Sequence, residues 1–342
     1  MNIKQNIFLS EYTTLRIGGR VRYFIECITD TDIVDAVTYA DNHNLPILPL
    51  GGGSNMVIAD HAHNMVCIHM VNTGLDVVYE DESSIHISVG AGYLWDDFVE
   101  YTVLHGYSGI EALSAIPGTC GATPVQNVGA YGQEVSETIV SVRVYNTASN
   151  IFQGFSNTDC QFGYRDSVFK HSSRGTYIIE SVTFKLDKKP PSIPQYPRVS
   201  DELQLMQEHY PYESQLMHIR RAIQKIRSDK LPDPHHVPNV GSFFKNVYVN
   251  PEKFFELQKQ FSAIPFFIDG DMYKIPTGWL IESVGLKGYS RDGVGVYDKN
   301  ALVLINQSSV YSHDILSLAE EIHREVGRKF GLAIEIEPEI VP

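Results

Sequence analysis

Cysteine is scarce in this chain. Cys27, Cys67, Cys120 and Cys160 are the only four in 342 residues, and no two form a C-x-x-C pair. That spacing predicts reduced thiols in a cytosolic protein, with a two-disulfide secreted protein as the alternative. Histidine is plentiful at 13, yet no H-E-x-x-H occurs; His61, His63, His235 and His236 read as surface residues, and no metal site is expected. No apolar run approaches the ~18 residues of a membrane span, and the N-terminus MNIKQNIFLSEYTT lacks a secretory apolar stretch. The expectation is a cytoplasmic chain without membrane insertion. Positive charge is also short: 27 Lys and Arg against 41 Asp and Glu give a net charge of −14. A nucleic-acid partner is therefore not expected, since phosphate neutralisation needs clustered cations. A phosphorylated small molecule needs only a local cluster and stays open.

Ordinary globular composition, 43% hydrophobic and 20% charged, fills what remains. At roughly 150 residues per domain, the length predicts two or three domains. The most informative stretch is Ile116 to Glu134, with Gly118, Gly121, Gly129 and Gly132, two prolines, and no charge before Glu134. Glycine-rich turns let a ligand approach main-chain N–H groups, and successive N–H groups form nests for phosphate. A second glycine cluster, Gly51-Gly52-Gly53-Ser54-Asn55, follows the strand candidate Ile47-Leu48-Pro49-Leu50, a common way to set backbone donors beside phosphate.

The rest of the chain alternates helix and strand patterns. Ile33, Val34, Val37 and Ala40 predict a helix in a β-α-β unit over residues 29–60. Val66–Ile68, Val77–Tyr79, Ile85–Val89, Val140–Tyr145 and Tyr177–Leu186 read as strands, and 93–105 as a helix. Residues 188–200 are proline-rich and predict a boundary or extended loop. Helices are expected over 214–227 and 313–330, then a last strand over Ala333–Ile336.

Three side chains stand out as carriers of chemistry. Arg165, in Phe162-Gly163-Tyr164-Arg165-Asp166, offers a two-point fork for a carboxylate, with Asp166 positioned to hold it. Ser242 lies in Gly241-Ser242-Phe243-Phe244-Lys245-Asn246, where two rings can exclude water and Lys245 makes the potential positive. Such a serine can donate a proton to a carbanion; a nucleophilic role lacks the G-x-S-x-G elbow. Glu339 follows Pro338 in the tail. Each of the three also has a bland reading: a surface ion pair, a turn or cap serine, and a solvated tail residue.

In order along the chain, Leu50–Asn55, Ile116–Gly118, Gln126–Gly132, Gly163–Ser167, Gly241–Asn246 and Glu337–Glu339 resemble the motifs of the UDP-N-acetylenolpyruvoylglucosamine reductase family. The similarity runs from about Thr13 to Glu339 and is closest to the long form with an extra tyrosine loop. It implies an α+β protein: an FAD-binding fold of the vanillyl-alcohol oxidase type, made of two α+β subdomains, plus a separate α+β substrate-binding domain. The implied divisions are residues 1–69 (with 331–342 returning to it), 70–187, a proline-rich loop at 188–213, and 214–330.

The resemblance also implies the reaction. NADPH reduces FAD; hydride then passes from flavin N5 to the enolpyruvyl ether of UDP-N-acetylglucosamine, giving UDP-N-acetylmuramate for peptidoglycan. Arg165 and Glu339 stabilise the carboxylate side of the resulting carbanion, and Ser242 protonates it. Gly51, Gly52, Gly53, Ser54, Asn55, Pro117, Gly118, Gly121, Asn127, Gly129, Ala130 and Tyr131 hold the cofactor. Tyr196, Lys230, Asn246, Lys287 and Asn300 hold the substrate, and a monomer is expected.

The chain departs from the family in ending Glu339-Ile340-Val341-Pro342, without the usual arginine, and in carrying Tyr297 where a histidine is common. An oxidase of the same fold and a non-catalytic UDP-sugar or flavin sensor are the alternatives.

Overall fold

The computed structural model describes residues 2–172, 174–194 and 196–342. The chain folds into two units. The first takes Met1–Ile7, Arg20–Gly53 and Ala62–Ser228, and the second takes Phe8–Gly19, Ser54–His61 and Asp229–Pro342.

Two sheets build the first unit. One has the order β1 (Ile3–Phe8), β2 (Arg20–Cys27), β5 (His63–Met70), β3 (Ile47–Leu50), with β5 parallel to both β2 and β3. Helix α1 (Asp30–Asn42) makes the crossover that parallel strands require, and a reciprocal cap between Thr29 and Asp32 starts it. It buries Ile33, Ala36, Val37 and Ala40. The other sheet is antiparallel, in the order β11 (Ile151–Ser156), β10 (Ile139–Asn146), β12 (Tyr177–Asp187), β7 (Ser84–Gly90), β6 (Leu75–Glu80). Helix α2 (Trp95–Leu104) turns Trp95 and Phe98 onto Phe184 of β12, with ring centroids 5.8 and 5.1 Å away. The short hairpin β8 (Gly129–Ala130) and β9 (Gln133–Glu134) and the single turn α3 (Val168–His171) lie in the connections.

Two helices follow. The proline-rich stretch expected to be extended instead contains α4 (Pro197–His209). Pro197 opens it at the first helical position, where a missing N–H costs nothing. Helix α5 (Gln215–Lys230) buries Leu216, Ile219, Ile223 and Ile226 at the expected spacing.

In the second unit, β13 (Asn239–Ser242), β19 (Val303–Asn306), β18 (Val294–Val296) and β17 (Ser290–Arg291) form one sheet in that order. A smaller sheet runs β14 (Val247–Val249), β16 (Met272–Ile275), β15 (Phe267–Asp269), accompanied by α6 (Pro251–Gln260) and α7 (Thr277–Ser283). Helix α8 (Ser312–Phe330) buries Ile315, Leu318, Ile322 and Val326 and ends on Gly331 at φ 62°. The tail strand lies later than expected: β20 (Glu339–Val341) pairs in parallel with β4 (Met56–Ile58). Residues 335–337 bond to the 243–245 segment, and the ladder with β4 begins only beyond Pro338, which has no N–H to give.

Asp60 fastens the start of α8. Its Oδ1 accepts the Ser312 N–H at 2.8 Å and the Ser312 hydroxyl at 2.7 Å. Those bonds hold the Asp60 carboxyl below its ordinary value, the hydroxyl first and the N–H second. Asp60→Ala is expected to cost about 1 kcal/mol at neutral pH. A lowered folded pKa means the contribution is complete above the unfolded value of about 4 and is lost as pH falls through the folded one. Urea titrations of both proteins across the acid range should show the gap between them closing.

Candidate active site

In the first unit, the glycines of β3's end and of the 116–132 loop meet back to back. A Cβ on Gly51 would lie 2.6 Å from Thr119 Oγ1, and one on Gly52 would lie 3.0 Å from the Cα of Gly118. On Gly121 it would lie 2.4 Å from the Cβ of Ala91. Side chains are excluded here by space. Gly53, at φ 58°, turns the chain out of the bend toward Ser54 and Asn55, which belong to the second unit. The carbonyl of Gly118 accepts the Trp95 N–H, and Cys120 N–H donates to the Tyr93 carbonyl. Pro117 lies just before Gly118 in this anchored run.

Two arginines on α5, Arg220 buried and Arg227 half-buried, secure the entry to this loop. Arg220 forks onto Asp96 at 2.6 and 3.0 Å, and the same carboxylate accepts the Ala115 N–H at 2.5 Å. Arg227 Nε donates to the Ala115 carbonyl at 3.1 Å. Ala115 thereby stands at φ 60°, which a side chain rarely adopts unless neighbours fix it. Sequence reasoning missed Asp96, Arg220 and Arg227. The available signal was two cations seven residues apart, beside the apolar stripe of Ile219, Ile223 and Ile226.

At its far end the loop closes as a two-residue hairpin. Gly129 pairs with Glu134 and Ala130 with Gln133, while Tyr131 and Gly132 sit at φ 52° and 87°. Positive φ at both turn positions matches the twist of a tight hairpin. The Tyr131 ring meets Tyr196 edge-on at 5.9 Å, so the tyrosine before α4 lies against the glycine hairpin. Burial raises the Tyr131 hydroxyl's pKa, with Arg227 opposing.

Arg165 is held by this loop. Its Nη2 donates to the Gly129 carbonyl at 2.5 Å, and Nη1 donates to the Asn127 carbonyl at 3.4 Å. Asp166, expected to grip the guanidinium, instead accepts a hydrogen bond from His171 Nε2 on its Oδ2 at 2.7 Å. Asn127 is buried at φ 45°. Its amide donates to Glu134 at 2.7 Å and to the Gly163 carbonyl at 3.0 Å, and its Oδ1 accepts the Ser136 N–H. One asparagine thus ties the hairpin to the turn that carries Arg165.

The second unit presents Ser242 on a bulge. Asn239 pairs with Ile305 and Ser242 with Val303, so one strand carries an extra residue. Gly241 supplies the φ of 73°, and Asn239 Oδ1 accepts its N–H at 2.9 Å. Phe243 and Phe244 are fully buried in the unit's core, so the two rings anchor the strand. The Lys245 ammonium lies 3.3 Å from Glu335, which offsets the positive field expected near Ser242.

The Phe243 carbonyl accepts the Glu337 N–H, bringing the tail beside the serine's strand. Glu339 donates its own N–H to the Asn55 carbonyl at 2.9 Å and opens β20, so the tail is anchored without the absent arginine. Asn300 lies two residues before Leu302, whose carbonyl accepts the Phe243 N–H. Asn239 donates to the Pro232 carbonyl and so draws the Lys230-Leu231-Pro232 run to β13. Asn246 caps α7 through Thr277 N–H at 3.1 Å, and Lys287 pairs with Glu282 at 3.0 Å. Among the described residues no cluster of His, Cys, Asp and Glu could hold a metal, and no helix is long and apolar enough to cross a membrane.

Comparison with known proteins decides what this constellation belongs to. Residues 21–152 match the FAD binding domain family, and 233–341 match the family described as UDP-N-acetylenolpyruvoylglucosamine reductase, C-terminal domain. A UDP-N-acetylenolpyruvoylglucosamine reductase of Bdellovibrio bacteriovorus is 38% identical over 338 residues, 99% of each chain. One from Amoebophilus asiaticus is 36% identical over 100% of both. The chain belongs to the UDP-N-acetylenolpyruvoylglucosamine reductase family.

The solved UDP-N-acetylenolpyruvylglucosamine reductase of Thermus caldophilus superposes with TM-score 0.70 over 100% of both chains at 22% identity, which speaks for the fold. The architecture is α+β: an FAD-binding fold of the vanillyl-alcohol oxidase type with a separate C-terminal domain. As a reductase of this family, the protein is a flavin oxidoreductase. Its first unit fits the cofactor. Gly51 and Gly52 pack against Thr119 and Gly118, and Gly121 against Ala91, too closely for any Cβ, and Gly51 to Gly53 and the 116–132 loop both lie within the residues that match the FAD binding domain.

Proposed function

We propose that the protein catalyses the NADPH-dependent, FAD-mediated reduction of UDP-N-acetylglucosamine enolpyruvate to UDP-N-acetylmuramate, a step in peptidoglycan precursor synthesis. The observation that carries this reading is the full-length match, 38% over 99% of the chain, to relatives named for that reduction. Bound FAD supplies the hydride added to the methylene carbon of the enol ether.

The chain's own residues do the rest. Addition of hydride leaves an electron pair on the neighbouring carbon, delocalised into the carboxylate. Arg165 is the electrostatic partner of that charge. Held on two main-chain carbonyls, its guanidinium is fixed before the charge develops, so little reorganisation is needed. Ser242 donates its hydroxyl proton to the carbon, and solvent restores the proton to the serine oxygen. Glu339, protonated, donates a hydrogen bond to the substrate carboxylate. Gly51 to Asn55 and the 117–131 loop hold the dinucleotide; Tyr196, Lys230, Asn246, Lys287 and Asn300 hold the diphosphate and carboxylate.

Anaerobic spectroscopy tests the reading. NADPH should bleach the yellow protein, and UDP-N-acetylglucosamine enolpyruvate should return the colour with one equivalent of UDP-N-acetylmuramate formed. Return of colour with oxygen alone would mean an oxidase, and the proposal would fall.

A further inference from the structure

One buried amide shapes the bulge that carries Ser242. The extra residue between the Asn239–Ile305 and Ser242–Val303 pairs disrupts the ladder of β13 with β19. A main-chain N–H at such a break needs another partner. The Gly241 N–H finds it in Asn239 Oδ1, at 2.9 Å. Side chains alternate along a strand, so one extra residue decides which way Ser242 points.

Asn239 is itself held on every side. It is buried, and its Nδ2 donates to the Val237 and Pro232 carbonyls at 2.8 and 3.2 Å. Its own N–H donates to the Thr14 carbonyl at 3.1 Å, and its carbonyl accepts the Thr14 hydroxyl at 2.6 Å. A side chain fixed this way gives the bulge one shape. Beyond Ser242 the strand is equally firm: the Phe243 N–H donates to the Leu302 carbonyl, and its ring is in the core. The serine therefore sits between two anchors, and Asn239 is the one that sets the turn of the backbone before it.

We propose that Asn239 is a positioning residue for Ser242: by holding the Gly241 N–H it fixes the bulge and aims the serine hydroxyl at the carbon to be protonated. The inference rests on the role of Ser242 as proton donor. The proton leaves Ser242 Oγ for the carbon that bears the electron pair left by hydride addition, and Asn239 touches neither. The same amide also holds the Pro232 carbonyl, two residues after Lys230. A role confined to that run predicts a different defect, weaker substrate binding with proton delivery unchanged.

Anaerobic stopped-flow on the holoenzyme separates the two. Asn239→Ala should leave flavin bleaching by NADPH at the wild-type rate. At saturating enolpyruvyl substrate it should slow the return of colour by about 10- to 100-fold, the cost of a reacting group displaced by an ångström or so. The solvent deuterium isotope effect on that step should rise, because proton delivery becomes its slowest part. Asn239→Ser, whose hydroxyl can accept the N–H two residues on, should recover part of the rate. In a Ser242→Ala background the Asn239 change should add nothing, since no hydroxyl is left to aim. The serine variant, alone and combined with Ser242→Ala, carries the test if the alanine variant does not fold. A raised KM with the saturating rate and isotope effect unchanged assigns Asn239 to the Lys230 run and overturns the proposal. Slowing that persists undiminished in the double variant overturns it as well. A wild-type protein whose colour does not return with this substrate ends the reading of the reaction itself, and the role of Asn239 with it.

Discussion

Ser242→Ala is expected to leave flavin bleaching by NADPH at the wild-type rate and to slow the return of colour with the enolpyruvyl substrate by about 10²- to 10⁴-fold, the range for loss of a positioned general acid. The two halves separate because no carbon is protonated while the flavin is being reduced. Hydride addition to the enol ether is different: without a proton delivered to the neighbouring carbon, the electron pair has no bond to form and the addition reverses. Ser242 is suited to this by its backbone. The bulge over Asn239–Ser242, the left-handed Gly241 and the buried Phe243 and Phe244 fix the serine on a rigid strand. Alanine removes one oxygen from a partly exposed position and leaves those anchors, so folding should survive. Ser242→Cys, with a thiol of pKa about 8.5, should recover part of the lost rate. Anaerobic stopped-flow on both halves is the measurement. Equal slowing of the two would assign Ser242 to cofactor geometry and remove it from proton transfer.

Periodicity made much of the fold legible, and locality decided what was missed. The apolar spacing in α8 points to Ile315, Leu318, Ile322 and Val326, all buried, and Gly331 ends the helix as a left-handed cap. In α1 the same reading finds Ile33, Val37 and Ala40 but also takes Val34, which is 36% exposed. Helix α4 escaped because proline reads as a breaker, while Pro197 occupies the one position where it starts a helix. Alternation points to Ala333–Ile336 as the tail strand, because it cannot reveal a partner as distant as β4. Motif residues such as Gly51, Gly121 and Arg165 were visible as an ordered series. Their supports were not. The clamp of Asp96, Arg220 and Arg227 on Ala115 joins residues more than a hundred positions apart.

Replacing Arg165 by methionine should cut the same second half by about 10²- to 10³-fold, the usual cost of one preorganised electrostatic donor, with flavin reduction by NADPH close to wild type. Lysine should recover little, because a point charge cannot span the two carbonyls that now hold the fork. The support for Arg165 can be tested separately. Asn127 binds Glu134, Gly163 and Ser136 with its side chain, and its own carbonyl receives Arg165. If Asn127 acts by placing the guanidinium, Asn127→Ser should slow the second half less than Arg165→Met does. In the Arg165→Met background it should then add nothing, a coupling equal to its whole single effect. An independent role against the cofactor gives a different pattern: the Asn127 change would speed FAD release and persist undiminished in the double variant. The cycle therefore distinguishes an asparagine that positions a catalytic group from one that touches the flavin dinucleotide, using rates and FAD release measured on the same four proteins.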